Sequence, residues 1–221
     1  MKLSKETIEI IKNFSAINPG ITFKKGNVQK TISVSAHIFA SAIVPDSFEK
    51  DFSIFSIPEF LSVLSIFKDP DIKCEDKFFT ISDGVNTVKY LYTAPDLIKS
   101  PPEKNITFPK ADVTFTLTKE KLSKILEASK TLNLEYLFVT EKGLIVKSFT
   151  RSDNSESNQF TVAVDYVTEL EKFEYVIKIE NMKVVPAEYD VEVSNKCFHF
   201  VAKDDNNIKE LNYAIAVESL G

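Results

Sequence analysis

The side chains of Leu3, Thr7, Ile10, Ile11, Phe14 and Ile17 recur every three or four positions, which is the spacing of one helix face. Ser4 stands before the run as an N-cap and Glu6 lies in the first turn, where the helix dipole favours an anion. A helix is therefore predicted over 4–17, ended by Asn18-Pro19-Gly20. The period then shortens to two. Ile21 and Phe23 alternate with polar residues, Lys25-Gly26-Asn27 reads as a hairpin turn, and strand pattern continues through Val28–Val34 and 37–43 until Pro45-Asp46 breaks it. A strand at 51–55 leads into Ser56-Ile57-Pro58-Glu59, a capping box. Phe60, Leu61, Leu64 and Phe67 follow at helical spacing, Asp69-Pro70 stops them, and strands are predicted at 71–75, 77–82 and 86–92.

Residues 93–112 break the rhythm. Pro95, Pro101, Pro102 and Pro109 forbid a helix interior or a central strand there, and a connector of this length is long for a turn inside one domain. The expected organisation is a first domain at 1–92, a connector at 93–112 and a second domain at 113–221. The second half repeats the first: a strand at 113–117, Thr118 as cap, Leu122, Ile125 and Leu126 as the helix stripe, then strands at 134–140, 143–149 and 159–165. A third copy starts at 173 with a strand in which Tyr175, Ile177 and Ile179 alternate. A short helix or turn stopped by Pro186 follows, then strands at 188–193, 197–202 and 212–217. Ser56, Phe60 and Leu64 align with Thr118, Leu122 and Leu126 at a constant offset of 62. Internal repetition of this kind sets the fold. It implies an α+β chain of two similar domains, each with helices on one face and antiparallel sheets on the other.

Composition supplies the core and removes most chemistry. Phenylalanine is heavy at 18 residues and tryptophan is absent, so aromatic strand residues should pack the interior. Cys74 and Cys197 read as free buried thiols. No apolar run is long enough for a membrane span, and Glu6 and Glu9 interrupt the first apolar stretch in a way a signal peptide does not tolerate. His37 and His199, the only histidines, sit in strand-like runs with no partner spacing for a metal. The five glycines form no phosphate-cradling motif. Asp69, Asp71, Glu75 and Asp76, and separately Asp204-Asp205, read as solvated turn residues rather than acid–base machinery. No catalytic residue, metal ligand or cofactor is therefore expected.

Net charge is −5, but its distribution matters more than its sum. Residues 1–92 hold 11 basic and 11 acidic residues, the connector holds 3 of each, and 113–221 hold 13 basic and 18 acidic. Yet the predicted helices carry Lys5 and Lys12, Lys68 at the end of the second, and Lys119, Lys121, Lys124 and Lys130, with Lys183 in the third-copy segment. Gathered on one face, these would meet DNA phosphates without reading bases. A single arginine, Arg151, argues against base readout.

The opening MKLSKETIEIIKNFSAINPGI, the segment FSIFSIPEFLSVLSIFKDPDI and the segment KIENMKVVPAEYDVEV resemble the sliding clamps of T-even-type bacteriophages, over essentially the full length of the chain. The resemblance implies a DNA-clamp fold and a closed homotrimeric ring around duplex DNA, with the lysine-bearing helices facing the channel. It implies partners as well: the replicative DNA polymerase, an ATP-dependent clamp loader and late transcription factors, acting in the cytoplasm of an infected bacterial host. By the family pattern the strand carrying Val88 and Tyr90 meets that carrying Phe160, Val162 and Val164 of the next subunit. Partner peptides would dock near Leu97, Ile98, Tyr189 and Leu220. The second helix departs from the pattern, with Glu59, Ser62 and Ser65 in place of lysines. Rival readings are a monomeric or dimeric processivity factor, a virion structural protein and an enzyme.

Overall fold

The computed structural model describes residues 1–104, 106–148, 158–203 and 209–219. The chain divides into two compact units, Met1–Lys104 with Asp204–Leu211, and Asn105–Lys203 with Asn212–Gly221.

The first unit opens with α1 (Lys5–Ile17), capped by Ser4, whose hydroxyl oxygen accepts from the Thr7 N–H. Its buried stripe is Thr7, Ile10, Ile11, Phe14 and Ile17, the face predicted from spacing. Next come β1 (Ile21–Phe23), β2 (Gly26–Ile32) and β3 (Ile38–Phe48). β2 pairs with β3, but β1 pairs with β4 (Phe52–Ile54), so Lys25-Gly26-Asn27 is not a hairpin between β1 and β2. Pro45 does not end β3 either. Register jumps from Val28↔Ile43 to Gly26↔Phe48, so Pro45 falls in an unladdered bulge where its missing N–H costs no bond. His37 lies exposed in the turn before β3 rather than in a strand. Helix α2 (Ile57–Ser65) is capped by Ser56, which accepts from the Glu59 N–H, and it buries Ile57, Phe60 and Leu64. A three-stranded sheet completes the unit: β5 (Asp71–Cys74), β6 (Phe78–Ser82) and β7 (Thr87–Leu91), in that order. Helices α1 and α2 pack on each other, and α1 packs on β2 and β3.

The phenylalanines form the core of this unit. Phe52 stacks on Phe23 at 4.8 Å between ring centroids and meets Phe79 edge-on at 4.7 Å; Phe48 and Tyr92 close the cluster at 5.5 and 5.4 Å. Stacked and edge-on rings of this kind add to the burial of their area.

The second unit begins with β8 (Val113–Leu117) and α3 (Lys119–Leu132). Thr118 caps α3, and Asn133 ends it in the left-handed conformation at φ 53°. Leu122, Ile125 and Ser129 are buried, whereas Leu126, expected in the stripe, is half-buried. Then come β9 (Tyr136–Thr140), β10 (Gly143–Lys147), β11 (Gln159–Val162), β12 (Val167–Thr168), β13 (Glu174–Lys178), β14 (Tyr189–Val193), β15 (Cys197–Ala202) and β16 (Lys209–Ala216), of which the residues from Asn212 on belong to this unit. One sheet runs β11-β10-β9-β13; β12, β8, β14, β15 and β16 are neighbours in that order in another. Helix α3 packs against β10 and β11. The segment expected as a short helix or turn is a single 3-10 turn at Ile179–Asn181. β13 does not alternate as predicted: Val176 and Ile177 are both buried, so both of its faces are covered. Each unit thus sets helix against antiparallel sheet, in the duplicated arrangement the repeat implied. Cys74 and Cys197 are free and half-buried, not fully buried.

Candidate functional site

Lys5, Lys12 and Glu9 lie on the side of α1 away from its buried stripe, and all three are exposed. At 100° per residue the two lysines fall within about 20° of each other. On α3, Lys119, Lys124 and Lys130 are exposed. Lys124 pairs with Glu120 one turn earlier at 2.7 Å, and this hydrogen bond and charge raise the Lys124 pKa while lowering that of Glu120. Among the described residues Lys5, Lys12, Lys119 and Lys130 form no ion pair. On α1 and α3 they are the cations left for an external anion.

Three lysines stand differently from the sequence expectation. Lys68 is exposed but lies beyond α2, which ends at Ser65. Lys183 is half-buried and follows the 3-10 turn, where its N–H donates to the Asn181 carbonyl at 2.8 Å. Lys121 is half-buried and turned onto its own unit, its Nζ donating to the Ala163 carbonyl at 2.9 Å. The outward face of α2 carries no cation. Glu59, Ser62 and Ser65 are exposed there, and the two serine hydroxyls bond back to Pro58 and Ser62 carbonyls. Between α1 and α2 runs an open groove of about 650 Å3, floored by Leu3, Ile8, Leu61 and Leu64, with Lys12 on its rim.

Two open strand edges carry apolar side chains that the sequence reading assigned to assembly. Among the described residues β7 pairs only with β6, and β11 only with β10. On β7, Val88 and Tyr90 are half-buried while Thr87, Lys89 and Leu91 point outward, Leu91 being 65% exposed. The Tyr90 ring rests on Phe60 at 5.5 Å; burial, then Glu59, pushes its phenol up to about 12. On β11, Phe160 and Val162 are half-buried and Gln159 and Thr161 exposed. Val164 is half-buried but lies past the strand, which stops at Val162 rather than 165. Open edges with apolar side chains invite another strand. Leu91 and the 65% exposed Phe55 escape a sequence reading, because alternation does not tell which face of a strand is covered.

The expected peptide-docking residues divide. Leu97, in the turn Pro95–Leu97, is 62% exposed. Ile98 is buried: its Cδ1 lies 2.6 Å from where a Cβ on Gly20 would stand, so it packs closely over Gly20 and anchors the connector. Tyr189 is completely buried, with its hydroxyl on the Val185 carbonyl and its ring edge-on to Phe200 and Tyr213. It is a core residue with no surface to offer a peptide. Leu220 lies outside the described residues, as do Arg151, Asp204 and Asp205. His199 is a strand residue with a local bond, its Nδ1 2.9 Å from Glu192 and its ring stacked on Phe108 at 3.9 Å. Among the described residues no group of three or more His, Cys, Asp or Glu could hold a metal ion. Among them, too, no helix is long and apolar enough to cross a membrane.

Residues 4–92 match the family described as DNA polymerase processivity factor, and residues 114–219 match the C-terminal domain of the gp45 sliding clamp. The chain belongs to the sliding-clamp family of DNA polymerase processivity factors. It is 29% identical to the sliding clamp of Enterobacteria phage T4 over 99% of this chain and 97% of that one. Against the sliding clamp of Vibrio phage KVP40 the identity is 30%, over 87% and 90%. PCNA from Thermococcus kodakaraensis shares the clamp fold at a TM-score of 0.66 and 15% identity, covering 97% of this chain and 96% of that one. The resemblance to T-even-type clamps and the duplicated clamp fold read from the sequence therefore hold.

Proposed function

We propose that this clamp closes head to tail into a homotrimeric ring around duplex DNA and holds the replicative polymerase there. The observation that carries the reading is the pair of open edges, β7 on the first unit and β11 on the second. One copy's β7 would satisfy the next copy's β11, and a heterologous contact of this kind forms a ring when its rotation closes. Val88, Tyr90, Phe160, Val162 and Val164 would supply apolar contact beside the paired backbones, and Leu91 would be covered.

Lys5, Lys12, Lys119 and Lys130 would face the phosphates, with Lys68 and Lys124 at their margins. Four lysines on α1 and α3 without an ion pair among the described residues, and no arginine on these helices, suit sliding contact without sequence readout. Retention would be topological, and the chain would act as a tether rather than a catalyst. An ATP-dependent loader would open the ring, the turn at Leu97 would receive partner peptides, and late transcription factors would use the same ring in the host cytoplasm.

Solution mass across a dilution series, with retention on nicked circular and linearised DNA, tests this. A trimer that stays on circles and runs off linear ends is the expected result. A monomer at all concentrations, or equal loss from both DNAs, would overturn it.

A further inference from the structure

Lys121 occupies a helix that carries DNA-facing cations, yet its ammonium is engaged elsewhere. Its backbone is fixed by the cap: the Lys121 N–H donates to Thr118 Oγ1 at 3.3 Å. From that position the side chain reaches Ala163, one residue past the end of β11. Successive carbonyls of a strand turn to opposite sides. The Val162 carbonyl is turned toward β10, lying 2.8 Å from where a Cβ on Gly143 would stand. The next carbonyl, that of Ala163, therefore faces the open side of β11. Lys121 has taken this acceptor.

We propose that Lys121 is a positioning residue for the contact between copies, setting where a strand laid on β11 must stop. An ammonium has three donors and no acceptor. It satisfies the Ala163 carbonyl and offers an incoming N–H nothing to bond. With the Val162 carbonyl turned to β10, the same alternation leaves the backbone groups of Gln159 and Thr161 as those β11 offers a neighbouring strand. A one-residue slip would turn every side chain of the incoming strand to the wrong face, so a fixed end to the ladder has a direct consequence for the apolar contacts of Val88 and Tyr90. The inference rests on the head-to-tail pairing proposed above.

Lys121→Met keeps the apolar stem and removes the donors; Lys121→Arg restores a donor. For both and the parent chain, three quantities are measured: the dilution midpoint of the trimer by sedimentation, the thermal midpoint, and the salt dependence of retention on circular DNA. Lys121→Met leaves the ladder without a fixed end and is expected to raise the dissociation midpoint about three- to tenfold, the equivalent of about one ordinary backbone hydrogen bond lost to misregistered pairing at each contact. Its thermal midpoint should stay within about 2 °C and its salt slope should not change, while Lys121→Arg should lie within about twofold of the parent. An unchanged dissociation midpoint in a trimeric protein overturns the positioning role alone. A shallower salt slope with an intact trimer returns Lys121 to the DNA face. A parent chain that is monomeric throughout overturns the head-to-tail reading and this inference with it.

Discussion

Gly143→Ala should unfasten the open edge of the second unit. Gly143 begins β10 with φ +127°, a region that L side chains rarely adopt. A Cβ there would stand 2.8 Å from the Val162 carbonyl oxygen and 3.6 Å from its carbon, both backbone atoms of β11 that cannot swing aside. Strained backbone costs about 1–3 kcal/mol, and moving the Val162 carbonyl off the β10 ladder adds about 1 kcal/mol. The total of about 2–4 kcal/mol corresponds, for a unit of roughly 100 residues, to a fall of about 10–30 °C in its thermal midpoint. Circular dichroism melting measures this directly. Because the displaced strand is the proposed recognition edge, retention on circular DNA should fall at temperatures where the variant is still folded. A midpoint within about 2 °C of the parent would refute the reasoning, since it would mean that β11 can retreat from β10 at no cost.

Phe52→Ala removes the ring that touches Phe23, Phe48, Phe79 and Tyr92. It should cost about 3–5 kcal/mol, seen as a lower urea midpoint. The Asp46 carboxylate accepts from the Ser4 N–H at 2.7 Å at the start of α1; burial pushes its pKa up, but hydrogen bonds from Thr7 and Ser4 outweigh that and hold it below the ordinary aspartate value. A depressed folded-state value stabilises above the unfolded value and is lost as pH falls through the folded one. Asp46→Asn should therefore be less stable than the parent at pH 7, and the gap should close below about pH 4 in parallel denaturation curves. Lys5→Ala with Lys12→Ala should flatten the salt dependence of DNA retention without altering the solution mass. The log–log slope should shrink by about 0.9 for each phosphate that a removed ammonium had neutralised.

Local chemistry makes much of this protein legible. Helix starts are readable because an N-cap is a local event: Ser4, Ser56 and Thr118 each accept from the backbone N–H three residues on. The helix stripes follow from a 3.6-residue period, and the match at offset 62 follows from two copies of one strand-cap-helix solution. What escapes the sequence is non-local. Pairing of β1 with β4 across β2 and β3, and the survival of β3 past Pro45, depend on which backbone groups find partners, and a sequence pattern does not name partners. Tyr189, expected from the resemblance to meet a partner peptide, is buried against Phe200 and Tyr213, contacts that no local pattern names. The docking role expected of Ile98 fails for a similar reason, since the contact it makes is with Gly20, 78 positions away in the chain.

By itself the sequence determined the α+β class, the duplication, the phenylalanine-built interior and the lysine-bearing helices, because each rests on interactions within a few residues or on the average burial of a pattern. Tertiary structure decided which cations are free and which are committed. Glu120 lies one helical turn from Lys124 and could be anticipated, whereas Ala163 reaches Lys121 only when β11 is folded alongside α3. It likewise decided that, among the described residues, β7 and β11 are left open, since an edge is defined by the strand that is missing beside it.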